Sequence, residues 1–374
     1  MSDARFIPYG RQSIDDDDIQ AVTDVLRSDW LTTGPAVERF EADLCAYTGA
    51  RYGVAMSSGT ATLHAAMFAL NIGPGDEVIV TPMTFVASAN CILYQGGTPV
   101  FADVDPDTLL LDPAAVEASI TPRTKAIIAV DYAGQPCDWD ALSAITDRHH
   151  LALVADGCHA LGARYKGRAV GTLADITVFS FHPVKHITTG EGGMAVTDDE
   201  RLATRMRHFR GHGITTTAAE REKMGGWYYE MVDLGYNYRI TDIQCALGSS
   251  QLKKLDGWIV KRNALAQWYD AAFASTDIKP LIHRSGLVHG YHLYIVRVDR
   301  RDERFKTLRD AGIGVNVHYM PVYLHPYYQG LGYSAGLCPV AEEAYEKIMT
   351  LPLWVGMDQG DLERVVQGLT AELL

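Results

Sequence analysis

At 374 residues the chain exceeds what one ordinary hydrophobic core supports, so two closely packed domains are expected. Its 47% hydrophobic and 21% charged residues suit a soluble globular protein, and no apolar run approaches about 20 residues, which excludes a transmembrane helix. The 33 basic and 46 acidic residues leave a net charge of −13, which argues against a nucleic-acid surface but not against a locally basic pocket for an anionic small molecule.

The N-terminal MSDARFIPYG lacks the apolar stretch of a signal peptide. Six scattered cysteines (Cys45, Cys91, Cys137, Cys158, Cys245 and Cys338) show neither CxxC nor metal-ligand spacing, implying reduced thiols in a cytoplasmic protein. After an irregular lead-in, residues 14–28 carry Ile19, Val22, Val25 and Leu26 at helical spacing, with Ser13 as the N-cap. Asp15 to Asp18 stand in the first turn, where the helix dipole favours negative charge. The loop SDWLTTGP leads to a second helix over about 36–47. Ser57 and Ser58 open a helix over 59–70. Its start is either a plain serine cap or a phosphate site made of free backbone N–H groups.

A buried strand over 78–80 is followed by a helix carrying Phe85, an aromatic suited to the core or to stacking on a flat ring. Strands over 99–102, 125–130 and 151–155 alternate with helices over about 113–119 and 139–149. That alternation predicts a mostly parallel α/β sheet, and the loop DYAGQP falls at its carboxyl edge, where ligands bind.

The stretch 177–193, TVFSFHPVKHITTGEGG, begins as a buried strand with Val178 and Phe179. It breaks into a loop with Ser180, His182 and Lys185 and closes in Gly190, Gly192 and Gly193. A hydroxyl and an amine five residues apart at a strand end can both face one ligand. No charge run surrounds Lys185, and a desolvated lysine becomes a nucleophile toward carbonyls. Upstream, the apolar run LALVAD ends in Asp156, with Cys158 and His159 just beyond. Alone, the lysine reads as a surface-loop group and His159 as a core histidine. Together, an aspartate and a lysine on two parallel strand ends are what pyridoxal phosphate needs: an amine for its aldehyde, and a carboxylate that keeps the ring nitrogen protonated.

Further on, a strand over 194–197 precedes a polar helix through 205–212, and 215–226 reads as a mobile loop. Thr241 and Asp242 cap a helix through 255, and a second helix through 273 links the two domains. From about 279 the pattern is α+β: strands over 292–298 and 313–317, and helices over 303–311, 339–350 and 358–372. VHYMPVYLHPYY brings His318, Tyr319, His325 and Tyr328 together, rings suited to a sugar or nucleotide. It carries no carboxylate or thiol at ligand spacing, so no metal is expected. The glycine fingerprint of a dinucleotide fold is absent.

SSGTATLH (57–64), ADGCHALGA (155–163), SFHPVKHITTGEGG (180–193), LGYNYRITDIQCALG (234–248) and VHYMPVYLHPYY (317–328) together resemble the DegT/StrS-type aminotransferases. These are pyridoxal-phosphate enzymes that aminate keto groups of nucleotide-linked sugars. The resemblance runs in order over essentially the whole chain. It implies the α/β fold of type I pyridoxal-phosphate transferases, with a large, mostly parallel seven-stranded sheet domain over 51–255. A smaller α+β C-terminal domain over 256–374 and an N-terminal helical segment over 1–50, packed on the small domain, complete it.

The resemblance gives Lys185 and Asp156 catalytic roles, and Gly59, Thr60, Phe85, His159 and Ser180 cofactor contacts. Asn237 is implied to reach the neighbouring subunit's cofactor in a homodimer. Substrate contacts are implied for Tyr9, Asp29, Trp30, Leu31, Thr32, His318, Tyr319, Met320, Pro321 and His325, although Trp30 and Leu31 serve equally well as packing between two helices. Some members carry histidine in place of the lysine and dehydrate sugars; Lys185 favours amination, with L-glutamate as donor. The motifs are most similar to the pseudaminic-acid branch, which aminates C4 of UDP-4-keto-6-deoxy-N-acetyl-β-L-altrosamine. The alternatives are another UDP- or dTDP-4-keto-6-deoxy sugar, or a non-catalytic regulator of the same fold. Gly157, Cys158 and Gly59 depart from the residues common in that branch.

Overall fold

The computed structural model describes residues 5–216, 218–223 and 225–371. Helix α1 (Asp16–Leu26) starts from Asp15 rather than Ser13. The Asp15 carboxylate accepts the Asp18 amide while the Asp18 carboxylate accepts the Asp15 amide, a two-sided cap that moves the start inward. Helix α2 (Pro35–Thr48) opens on a proline and ends at Gly49, whose φ of 83° suits glycine. Then β1 (Tyr52–Met56), α3 (Gly59–Ala69), β2 (Glu77–Val80), α4 (Ala87–Tyr94) and β3 (Thr98–Phe101) alternate. They are followed by α5 (Pro113–Ala118), β4 (Thr124–Val130), α6 (Trp139–His149) and β5 (Ala152–Asp156). A short ribbon, β6 (Arg164–Tyr165) and β7 (Arg168–Ala169), precedes β8 (Ile176–Ser180) and β9 (Gly193–Thr197). The chain continues through α7 (Glu200–Arg210), α8 (Ala218–Lys223), α9 (Asp242–Leu252), α10 (Leu255–Phe273), β10 (Lys279–Pro280) and β11 (Leu287–Val288). It closes with β12 (Tyr294–Arg297), α11 (Arg301–Asp310), α12 (Pro326–Gly330), α13 (Pro339–Lys347), β13 (Ile348–Leu351) and α14 (Gln359–Thr370).

Seven strands form one sheet in the order β1-β9-β8-β5-β4-β2-β3. Five of them run parallel to their neighbours; β9 is antiparallel to both β1 and β8. All of β9 and nearly all of β4 are buried on both faces, as a helix-covered sheet requires. The register pairs Val130 with Asp156 and Asp156 with Val178, so the ends of β4, β5 and β8 open on one edge. This is the seven-stranded sheet of the type I fold. A smaller antiparallel sheet, β10-β12-β13, lies in the C-terminal part.

Two apolar cores result. One fills both faces of the large sheet, and the second gathers α10, α14, β12 and β13. Helix α10 serves both, through Leu255 and Ile259 in the first and Tyr269 and Phe273 in the second. No helix among the described residues is long and apolar enough to cross a membrane.

Several sequence expectations need correction. Of residues 1–50, only a short lead reaches the second core: Ile7 is buried there, and Arg5 pairs with Asp361 at 2.7 Å. Helices α1 and α2 pack instead on α9 and, for α2, on β1: Phe40 and Leu44 of α2 join the large-sheet core, while α1 docks through buried Asp18, whose Oδ2 accepts the Gln251 side-chain amide at 2.6 Å. Residues 348–350, expected at the end of the 339–350 helix, belong instead to strand β13; so short a run of apolar or β-branched residues does not reveal its period. Residues 313–317 make only isolated bridges, Ile313 to Ile7 and Asn316 to Thr350. Helix α7 begins at Glu200 on an Asp199 cap, five residues before the expected stretch. The expected loop over 215–226 contains α8; its residues 217 and 224 lie outside the described residues.

Candidate active site

Asp156 ends β5 and is 5% exposed. Its Oδ2 accepts the Ser88 hydroxyl at 2.6 Å, and its Oδ1 accepts the Cys158 amide at 3.1 Å. Thr84 stands 2.8 Å from Ser88, so a chain of two buried hydroxyls from the start of α4 orients the carboxylate.

Lys185 lies in the loop between β8 and β9, and backbone bonds pinch that loop shut. The Phe181 amide donates to Gly192 O at 2.9 Å and the Thr189 amide to Phe181 O at 3.0 Å. The Lys185 side chain opens on the cavity, but protein surrounds its amine, and this desolvation pulls its pKa below the usual lysine value. The charges of Cys158 and Asp156 oppose the shift. A neutral fraction of the amine is thereby favoured, which a nucleophile or base requires.

Above the loop, α3 begins at Gly59, with Ser58 as its cap; the Ser58 hydroxyl accepts the Ala61 amide at 3.1 Å. The amides of Gly59 and Thr60 belong to the first turn and have no intrahelical acceptor, so they face outward at the positive end of the helix. The space here is close: a Cβ on Gly59 would sit 2.9 Å from the Ser180 Cβ and 3.4 Å from the Cys158 Sγ.

These elements enclose a cavity of about 710 Å³. Burial holds the imidazoles of His159 and His292 far below the usual histidine pKa, and the Lys185 charge adds to both. His318 is lowered to about 3 by burial and then by Lys185. All three are therefore neutral at pH 7. His159 Nε2 lies 3.1 Å from the Tyr319 hydroxyl, and the Tyr319 phenol is pushed well above its ordinary value by burial.

The cavity gathers Tyr9, Gly59, Thr60, Phe85, Asp156, His159, Ser180, Lys185, His318, Tyr319, Met320 and His325. Six expected residues do not line it. Pro321 is buried behind its neighbours. Asp29, Trp30, Leu31 and Thr32 run beside the start of α9, where the Asp242 amide donates to Leu31 O and Thr32 bridges to Thr241. Trp30 and Leu31 are about half exposed there, and so do not form the inter-helix packing weighed for them. Asn237 is exposed on the segment that bridges to Gly211, outside its own chain's cavity.

Sequence reasoning missed Ser88, Glu191, Asn316 and His292. Ser88 sits 68 positions from Asp156 with no spacing that links them. His292 was read only as the start of a strand; its Nε2 lies 3.4 Å from the Lys185 Nζ.

The residues present fit pyridoxal phosphate. There is a buried, doubly hydrogen-bonded carboxylate for the ring nitrogen, a desolvated amine for the aldehyde, and a close cradle at the start of α3 for the phosphate. Fold and cavity together define a type I pyridoxal-phosphate enzyme. The sequence matches the DegT/DnrJ/EryC1/StrS aminotransferase family over residues 12–370. The spore coat polysaccharide biosynthesis protein SpsC of Bacillus subtilis is 43% identical, covering 97% of this chain and 96% of its own. Spr1654 of Streptococcus pneumoniae in its PMP form superimposes with a TM-score of 0.93 at 36% identity, over 97% of this chain and 98% of that one. PseC of Helicobacter pylori, an aminotransferase of pseudaminic acid biosynthesis, does so with a TM-score of 0.90 at 33% identity, over 98% of each. The chain belongs to the DegT/DnrJ/EryC1/StrS aminotransferase family and is a pyridoxal-phosphate-dependent sugar aminotransferase.

Proposed function

We propose that this enzyme moves the amino group of L-glutamate to C4 of UDP-4-keto-6-deoxy-N-acetyl-β-L-altrosamine, and that it works as a homodimer. The observation that carries the sugar reading is the likeness to PseC over 98% of the chain, together with His318, Tyr319, Met320 and His325 lining the cavity that holds Lys185.

When bound, the cofactor supplies an electron sink for the pair left when the amine-bearing carbon loses its proton. The chain's own residues do the rest. Asp156, fixed by Ser88 and the Cys158 amide, would hold a proton on the ring nitrogen. The Gly59 and Thr60 amides and the Ser180 hydroxyl would anchor the phosphate, and Phe85 would lie against the ring. Lys185 Nζ would take the proton from the amine-bearing carbon and return it to the carbon across the intervening nitrogen; in the second half-reaction it would move the proton in the opposite sense. His159, three residues past Asp156, would meet the cofactor ring, and Tyr319, 3.1 Å from its Nε2, would face the substrates with Tyr9 and His318.

Asn237 supports the dimer reading, because it is exposed and outside its own chain's cavity, on a stretch that carries exposed apolar side chains. Trp227 is 86% and Leu234 76% exposed there, areas a second copy would cover. The Asp29–Thr32 loop bridges to Thr241, close in the chain to Asn237, so in such a dimer it would stand near the same interface and reach toward the partner's sugar pocket.

A second reading, another UDP- or dTDP-4-keto-6-deoxy sugar, is supported by the higher identity to SpsC, a spore coat polysaccharide biosynthesis protein, at 43% against 33% for PseC. The enzyme should be given L-glutamate with the L-altro ketosugar or its D-configured counterpart, and 2-oxoglutarate followed. A kcat/KM at least about tenfold higher for the L-altro sugar is expected; the reverse preference gives the second reading the case.

A further inference from the structure

His292 was not part of any motif, yet the fold presses it against Lys185. Its Nε2 lies 3.4 Å from the Lys185 Nζ, and the residue is 5% exposed. Two sets of bonds hold it there. The Gly290 amide donates to Gly134 O at 2.8 Å and the Leu293 amide to Ala133 O at 3.1 Å, laying 290–293 across the turn that ends β4. Gly134 has a φ of 106°, and a Cβ there would meet the Tyr291 amide at 2.6 Å, so the close approach depends on glycine. From the other side, the His186 Nε2 bonds Gly290 O at 2.9 Å and ties the same segment to the loop of Lys185. The second ring nitrogen, Nδ1, is buried and has no hydrogen-bond partner among the described residues.

A charged amine has three N–H bonds and no lone pair, so it can only donate. The nitrogen facing it is then the bare one, with the ring proton on Nδ1. When the amine is neutral, the same tautomer still accepts one N–H and leaves the amine's lone pair free. We propose that His292 is the positioning residue of the reactive lysine: its Nε2 accepts a hydrogen from Lys185 Nζ and aims the amine's lone pair into the cavity. The inference rests on reading Lys185 as the reactive amine.

The groups facing this pair are few. Asp156 and Cys158 face Lys185. His159 and His186 face His292, with ring centroids 4.4 and 5.8 Å away, and Arg262 of α10 lies behind it, bonded to Tyr291 O and Leu353 O. His318 faces Lys185 from the sugar side. Burial keeps the four imidazoles uncharged, so a titration read at Nζ belongs to the amine.

The test uses the apoprotein. Cyanate carbamylates neutral amines, and its rate at Lys185, read by mass spectrometry of the peptide across the alkaline range, gives the amine's midpoint. His292→Leu removes the acceptor that stabilises the charged amine and should lower the midpoint by about one pH unit. His292→Gln, which keeps an acceptor oxygen, should restore most of it. Superimposable curves, or a leucine shift that glutamine leaves unrestored, overturn the proposal. If circular dichroism finds the leucine variant unfolded, the wild-type protein decides by imidazole nitrogen NMR, with the signal assigned from His292→Gln. A bare Nε2 supports the proposal, and an Nε2–H tautomer overturns it. Cyanate labelling needs neither cofactor nor sugar, so a failed aminotransferase reading, seen as no visible band with added pyridoxal phosphate, is distinguishable from failure here.

Discussion

Asp131 shows how much a single buried group contributes at this sheet edge. It follows the last residue of β4, is 0% exposed, and its amide donates to Asp156 O at 3.2 Å. Its Oδ1 accepts the Cys137 amide at 2.7 Å, while Oδ2 has no partner among the described residues. Burial, with the Asp156 charge adding, pushes its carboxyl from 3.8 up to about 8. The folded state therefore binds this proton more tightly than the unfolded chain. Its stabilising contribution is fully present below about pH 4 and is lost as the pH rises toward about 8, at no more than about 1.4 kcal/mol per pH unit. Asp131→Asn keeps the acceptor and removes the titration, so its melting temperature should change less between pH 6 and pH 8 than the wild type's; equal changes would assign the dependence elsewhere. At this scale the sequence pointed to residues at or just past strand ends inside motifs: Asp156 and Ser180 end β5 and β8, and Lys185 follows in the loop beyond. Ser88 and His292 stayed hidden because their partners are tertiary, across 68 and 107 positions.

At the scale of elements, the site depends on how closely β9 approaches the start of α3. Gly193 pairs with Met56 on one side and Ser180 on the other, and a Cβ on it would lie 2.6 Å from the Gly59 nitrogen and from the Ser58 carbonyl. Those are backbone atoms and cannot swing aside. Gly193→Ala should therefore move the helix start, cost about 1–3 kcal/mol of stability, and weaken pyridoxal phosphate binding by roughly tenfold or more. Thermal melting and cofactor titration read the two effects, and an unchanged cofactor affinity would show that the α3 amides do not hold the phosphate. The alternation of apolar runs with amphipathic stretches made six strands of the large sheet legible, most of them buried runs bounded by turn residues, whereas β1 was not picked out and β3 is only partly buried. The small sheet was less so. Ile348–Leu351 follows α13 directly, with no turn residue between them, and residues 313–317 alternate like a strand but meet only single bridging partners.

Among the described residues two cores are joined along α10, with the cavity at the carboxyl edge of the large sheet and walled by residues 316–320 and His325 of the C-terminal part. If Asn237 serves the partner's cofactor, Lys185→Ala and Asn237→Ala should each be nearly inactive alone. Mixed and allowed to exchange subunits, they should recover about a quarter of wild-type activity, because each mixed dimer carries one intact site. No recovery in mixed dimers would mean that Asn237 acts within its own chain. The central claim is that Lys185, held beside Asp156, carries pyridoxal phosphate and exchanges amino groups through it. The visible absorption spectrum of the purified protein tests that most directly, before and after L-glutamate, with Lys185→Ala as control. The account predicts a band at roughly 410–430 nm that moves to about 330 nm with glutamate and is missing from Lys185→Ala. A wild-type protein with no such band even after added pyridoxal phosphate, or a Lys185→Ala variant that still turns over, would contradict it.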